Sequence, residues 1–436
     1  MRPLLVSLLA AATLTGAAPP AVAFDDADLQ ATLAGEMRHA PPASGAYVAD
    51  LADGRRLYAR RPDIVRIPAS VEKLYTTSTA LLRLGPATTL QTLAVTAPGT
   101  VLAADGTLGG DLVLVGGGDP FFGVQSAAIL ARAVRSAGIK RIAGAVVGDE
   151  SAFDDRRSGC CAGYDTDLGG VLSALAYDRG IFQGRARLDA ARFAAGRFAT
   201  QLRAAGVTVA GHSLAGPAPE GARTLATVPS RSVAELARFT NVPSNNFAAE
   251  MLLKDLGARL GGSGTETAGA DVVRDTLGGF GVRPQRIVDG SGLSRQNRTT
   301  PRQVVTLLQR MAEPDMAASF RPSLAVTGAT GTVKARMRGT AAAGRCQVKT
   351  GTLRLVSALA GYCRTAGGRD VVFAFMTNRA NTFSAKARED RMTVAIARLG
   401  AAPGPQAAPA PPAATTTVPA ATVPLPSSSG GALPPR

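Results

Sequence analysis

The chain has 436 residues, 48 Lys and Arg against 32 Asp and Glu, a formal charge of +16 and 46% hydrophobic residues. Outside its two ends, that length can bury a large core or two. The basic residues are scattered, Arg55-Arg56, Arg60-Arg61 and Arg156-Arg157 being the densest pairs, and no cluster is interleaved with stacking aromatics. This excludes nucleic acid as a partner and leaves anionic wall polymers, or simply a solvated basic surface, as the meaning of the charge.

Met1-Arg2-Pro3 precede an apolar run from Leu4 to about Gly16 and small residues ending Ala21-Val22-Ala23. This is the pattern of a secretory signal peptide, residues 1–23, cleaved before Phe24. Export follows, to a periplasmic, wall-associated or secreted location. No later apolar run is long enough to span a bilayer.

Asp53-Gly54 stands between Ala46–Leu51 and Arg56–Ala59, which predicts a β-hairpin. Pro68 and Ala69 lead into Ser70, after which Leu74, Leu81, Leu82 and Leu84 have helical spacing. Ser70 therefore starts a helix, with Lys73 one turn along the same face. Short apolar runs broken by Gly and Asp follow, with an amphipathic helix from Ala127 to Ser136 among them. They predict a small α+β module, residues 93–231, inserted into the main domain. Gly116-Gly117-Gly118-Asp119-Pro120 lacks the G-K-[ST] ending of a phosphate loop and reads as a structural turn.

Helices are expected at Val233 to Thr240, Asn246 to Leu260 and Pro301 to Met311. Strands follow at Arg345 to Val348, Ser357 to Tyr362 and Val371 to Met376, with a closing helix from Glu389 to Leu399. The fold class is therefore α+β, with both ends of one domain, 24–92 and 232–400, contributing to an antiparallel sheet covered by helices. Residues 401–436 are mostly Ala, Pro, Thr, Ser and Gly, with no aromatic residue and no charge before Arg436, the composition of a disordered tail.

Only six lysines are present, Lys73, Lys140, Lys254, Lys334, Lys349 and Lys386, and two fall in motifs. Ser70-Val71-Glu72-Lys73 is the one S-x-x-K, Ser244-Asn245-Asn246 is an S-x-N and Lys349-Thr350-Gly351 is a K-T-G, in the order used by penicillin-recognising serine acyltransferases. A serine hydroxyl becomes a nucleophile when a base takes its proton, and a neutral lysine can do this if burial or a neighbouring cation lowers its pKa. Lys349 is a candidate for that cation. Only His39 and His212 are available for a histidine scheme, and no G-x-S-x-G elbow occurs.

Four cysteines in an exported chain permit disulfides. A hairpin turning near Arg354-Leu355 sets Cys346 opposite Cys363, and a bridge between them is expected beside the Lys349 strand. Cys160 and Cys161 are adjacent and are expected to be thiols or to bridge between molecules. No C-x-x-C or histidine cluster offers a metal site, and no cofactor is expected.

Ile67–Ser70, Leu114–Pro120, Val242–Asn246, Asp289–Arg295 and Lys349–Leu353 together resemble the D-alanyl-D-alanine carboxypeptidase/endopeptidase family, the class C low-molecular-mass penicillin-binding proteins of peptidase family S13. The resemblance implies a penicillin-binding, β-lactamase-like transpeptidase fold. It also implies that Ser70 attacks the carbonyl between the terminal D-alanines of a peptidoglycan stem, or the D-Ala to meso-diaminopimelate cross-link, and that water hydrolyses the acyl-enzyme.

By the same resemblance Lys73 takes the serine proton, Ser244 relays a proton to the leaving amine, and Asn246 holds the substrate amide and Lys73. Lys349, Thr350 and Thr352, with Gly351 between, meet the terminal carboxylate. The backbone amides of Ser70 and Thr352 form the oxyanion hole, and β-lactams acylate Ser70.

Two departures stand out. The Ser70 to Ser244 stretch is shorter than in larger members, so one inserted module is expected, and there is no tryptophan to grip the stem's diamino acid. Tyr164 with Asp165 or Asp167 could replace it, but the segment is expected to be a surface loop, which leaves the diamino-acid selectivity open. A β-lactamase needs a deacylation device, and no clear Glu-x-x-Asn segment lies between Ser244 and Lys349. A catalytically idle wall-binding protein is the alternative of another class.

Overall fold

The computed structural model describes residues 23–159 and 164–402. The candidate leader, the Cys160-Cys161 pair and nearly all of the Ala/Pro-rich tail lie outside the described residues.

The main sheet has six strands, in the order Ala325–Val326, Cys346–Leu353, Val356–Arg364, Asp370–Asn378, Ser44–Asp50 and Arg56–Arg60. All neighbours are antiparallel. The two ends of the folded chain meet in this sheet, since Ser44–Asp50 pairs with Asp370–Asn378.

The central strands are apolar throughout because both faces are covered, as period-two alternation shows. Val372, Ala374 and Met376 join the core that includes Leu74, Tyr75 and Leu308. Val371, Phe373 and Phe375 join the opposite core, with Leu29 and Leu33 from helix Asp26–Arg38 and Met392 and Ile396 from helix Thr382–Arg398. The closing helix thus begins seven residues earlier than its apolar stretch suggests, where Asn381 caps it by accepting from the N–H groups of Phe383 and Ser384.

Residues 89–232 build separate sheets. Five strands run in the order Ser213–Ala215, Val146–Asp149, Leu112–Val115, Thr89–Thr96 and Arg223–Ser232, parallel across the first three and antiparallel beyond. Helices Val124–Ser136 and Ala190–Ala204 pack onto them through Leu130, Val134, Phe198 and Leu202. A three-stranded sheet lies in the same segment. The Gly116–Pro120 stretch is an irregular turn.

Helices Asn246–Leu260 and Pro301–Met311 are capped by Asn245 and Thr300, which accept from the N–H groups of Ala248 and Gln303. Cys346 and Cys363 face each other in register and are bonded, and the hairpin between their strands turns at Arg354-Leu355. Among the described residues no helix is long and apolar enough to cross a membrane.

Candidate active site

Four segments from distant parts of the sequence converge on Ser70. The residue lies in a 3-10 turn, Ala69–Glu72, and the α-helix proper begins only at Lys73. Ala69 enters that turn at φ +49°, in the left-handed region. Strained non-glycine backbone of this kind is held by its surroundings, and two glycines supply the close fit. A Cβ on Gly292 would stand 2.0 Å from the Ala69 carbonyl oxygen, and one on Gly351 would stand 2.5 Å from that of Pro68. The glycine of the K-T-G motif therefore lets strand Cys346–Leu353 lie against the nucleophile turn.

The Lys73 side chain is fully buried. Its Nζ lies 2.9 Å from Ser70 Oγ, 2.7 Å from Asn246 Oδ1 and 2.5 Å from the Ser291 carbonyl oxygen. Burial lowers its pKa to about 7, against the opposing fields of Asp289, Glu250 and Glu72. Of the two causes considered from sequence, burial is the first for Lys73, and Lys73 and Lys349 repel each other. Lys349 is itself buried and held well below the ordinary lysine range, by burial first and by the charge of Lys73 second.

Ser244 sits at φ +62° just before helix Asn246–Leu260 and accepts a hydrogen bond from Lys349 Nζ at 2.9 Å. Lys349 Nζ also donates to the Thr350 carbonyl at 2.8 Å, and Thr350 Oγ1 donates to Thr332 Oγ1 at 2.8 Å. Ser70, Ser244, Thr350 and Thr352 share the wall of a cavity of about 340 Å³ with Thr332, Arg336 and Lys386. The structure thus brings together Ser70, Lys73, Ser244, Asn246, Lys349, Thr350, Gly351 and Thr352.

Sequence reasoning missed the support beneath Lys73. The carboxylate of Glu250, buried in helix Asn246–Leu260, accepts the N–H groups of Gly290 at 2.9 Å and Ser291 at 2.8 Å. Asp289 accepts from Gly292, Ser294 and Asn297. The Asp289–Arg295 segment is therefore a knotted loop that aims the Ser291 carbonyl at Lys73. A signal existed in Glu250 itself, a lone acid in the apolar run Phe247–Leu253. Glu72 is fully buried, and among the described residues neither of its oxygens has a hydrogen-bond partner; burial first, then Asp289 and Glu250, push its carboxyl well above the usual range.

The Tyr164–Asp167 segment is a surface loop, with Tyr164 and Asp167 exposed, and it is tied to the site through its backbone. The Asp167 carbonyl accepts a hydrogen bond from Asn246 Nδ2 at 2.7 Å, which fixes the amide with its oxygen toward Lys73. Asp165 lines a second cavity of about 400 Å³ with Leu168, Glu250, Ser291 and Leu293, whereas Asp167 does not.

Residues 27–166 and 167–399 match the model of the D-Ala-D-Ala carboxypeptidase 3 (S13) family. The chain is 29% identical to a D-alanyl-D-alanine carboxypeptidase of Actinomadura sp. (strain R39), over 84% of this chain and 83% of that one. It is 30% identical to a carboxypeptidase of Mycobacterium tuberculosis over 76% of each. Its fold matches penicillin-binding protein 4 of Haemophilus influenzae with a TM-score of 0.72 at 20% identity, covering 83% of this chain and 97% of that one. With a family match across nearly all of the described residues, the chain belongs to the D-Ala-D-Ala carboxypeptidase 3 (S13) family.

Proposed function

We propose that this protein is an exported serine DD-peptidase that cleaves after D-alanine in peptidoglycan stem peptides through a Ser70 acyl-enzyme, and that β-lactams acylate the same serine. The surroundings of the Lys73 amine carry this reading. Asn246 Oδ1 and the Ser291 carbonyl can only accept hydrogen bonds. A neutral amine gives its two protons to these oxygens and turns its lone pair to Ser70 Oγ, the geometry a general base needs.

Ser70 then adds to the substrate carbonyl as its proton passes to Lys73. The backbone amides of Ser70 and Thr352 receive the developing oxyanion. Ser244, bonded to Lys349 Nζ, passes a proton to the leaving amine. Water completes hydrolysis of the ester and frees Ser70. The terminal carboxylate docks on Lys349, Thr350 and Thr352. Asp165, which shares its cavity with Leu168, Leu293 and Arg156, suits the ammonium at the end of a diamino acid's methylene chain on the acyl portion. No step calls for a cofactor. The expected domain boundaries, 24–92, 93–231 and 232–400, shift slightly, because strand Thr89–Thr96 belongs to the inserted sheet: residues 24–88 and 233–400 form the catalytic domain in this reading, and 89–232 the insertion.

Related structures support the β-lactam part: one of penicillin-binding protein 4 holds a β-lactam, and one of a Bdellovibrio bacteriovorus endopeptidase is acylated by penicillin G. The test is release of D-alanine from a stem pentapeptide by the purified protein and by Ser70→Ala. Turnover that survives in Ser70→Ala, with the fold intact by circular dichroism, would defeat the assignment.

A further inference from the structure

The two cations in the outer wall of the catalytic cavity differ in their partners. Arg336 Nη2 meets Glu389 Oε2 at 3.0 Å and Asp390 Oδ1 at 2.7 Å, so its charge is matched within the fold. Lys386 lines the same cavity and, among the described residues, its amine has no acid and no hydrogen-bond acceptor. Its backbone carbonyl accepts from Arg336 Nη2 at 3.2 Å, which ties this turn of helix Thr382–Arg398 to the Arg336 loop. Three residues earlier, on the same helix face, Phe383 is 84% exposed, the most exposed large apolar side chain described.

We propose that Lys386 and Phe383 form a leaving-group subsite that favours cross-linked stem peptides over a terminal D-Ala-D-Ala. The inference rests on the DD-peptidase reading and names the substrate class of that site. A departing D-alanine carries one carboxylate, which Lys349, Thr350 and Thr352 already meet, and a methyl group. It leaves Lys386 unused. When the departing amine belongs to a diamino acid in a second stem, the carboxylate beside it occupies the same place as that of D-alanine. Beyond it run three methylenes and then a peptide bearing further carboxylates. The methylenes suit the exposed Phe383 ring, and a second carboxylate suits the unpaired ammonium of Lys386. Cleavage remains the same reaction: the acyl group passes to Ser70 Oγ, the diamino acid's amine leaves protonated, and water frees the acyl group.

The test compares kcat/KM for a stem pentapeptide ending in D-Ala-D-Ala and for a cross-linked muropeptide dimer, in the wild type, Lys386→Met, Lys386→Arg and Phe383→Ala. Benzylpenicillin acylation is measured on the same samples. Lys386→Met is expected to lower the dimer value about fivefold more than the pentapeptide value, the worth of one partly exposed ion pair, and to do so through KM. Lys386→Arg keeps the wild-type ratio, and Phe383→Ala lowers it by a smaller factor. Added salt shrinks the wild-type preference. Equal loss on both substrates, or no loss, overturns the inference alone. Acylation of the wild type by penicillin with turnover of neither substrate overturns the inference together with the peptidase reading.

Discussion

Glu250 Oε1 accepts the backbone N–H of Ser291 at 2.8 Å, and the Ser291 carbonyl in turn accepts a hydrogen bond from Lys73 Nζ at 2.5 Å. A buried acid on one helix thereby sets the direction of an amine on another. Glu250 is a positioning residue; burial first, then the charge of Asp289, push its own carboxyl up to about 8, and only its ionised fraction raises the Lys73 pKa. Glu250→Gln retains one of the two acceptors and loses the charge. Its plateau rate of acylation by benzylpenicillin is expected to fall about tenfold, a typical cost of a misdirected base. The inflection of its pH profile moves below that of the wild type. A variant damaged only in stability would keep the wild-type inflection.

The wild-type profile follows from the state of Lys73. The amine must be neutral to accept the Ser70 proton, and burial brings its pKa to about 7. Below that value the protonated form prevails and acylation is slow; above it the rate rises to a plateau. Acylation rates measured from pH 5 to pH 9 are expected to show this single rise. A rate that falls with pH across the same range would assign the proton transfer to another group.

Asn246 joins Lys73 to the Asp167 carbonyl, accepting through Oδ1 and donating through Nδ2. Asn246→Ala removes both contacts and is expected to slow acylation about a hundredfold. Asn246→Asp sets an anion beside Lys73, favours its protonated form and moves the inflection upward, opposite to Glu250→Gln. The same rate measurements across pH distinguish the two.

The disulfide closes a short loop, with Cys346 and Cys363 separated by 17 residues in sequence. Replacing both by alanine is expected to cost about 3 kcal/mol by loop closure and to lower the melting temperature by several degrees in calorimetry. The strand carrying Lys349 keeps neighbours on both sides. Acylation at 25 °C is therefore expected to stay within about threefold.

What could be read in the sequence was whatever announced itself locally. Helices Asn246–Leu260 and Pro301–Met311 start at capping residues and carry clear apolar patterns. The central strands are continuous apolar runs. Strand Cys346–Leu353 runs on through Lys349-Thr350-Gly351, beyond the expected Val348, because Gly351 packs under the Ser70 turn, a tertiary contact with no local mark. Helix Glu266–Gly278 follows a glycine-rich stretch and contains Gly269, whose Cβ would stand 2.0 Å from the Leu253 carbonyl oxygen. Its close crossing with helix Asn246–Leu260 requires what looks like a loop residue. Helices Asp26–Arg38 and Ala190–Ala204 were missed for a similar reason: short alanine-rich patterns gain their meaning from the faces they cover. The S-x-x-K, S-x-N and K-T-G residues were visible as motifs. The Ser291 and Asp167 carbonyls were not, since they act through backbone atoms, and Glu250 was marked only as a lone acid in an apolar run, its role set by the fold.

The most direct measurement is the intact mass of the mature protein during incubation with benzylpenicillin, followed by peptide mapping, with Ser70→Ala alongside. The proposed mechanism predicts one persistent penicilloyl adduct on the peptide containing Ser70 and none in the variant. An adduct on another residue, an adduct that survives in Ser70→Ala, or rapid loss of penicillin without a persistent adduct would contradict it.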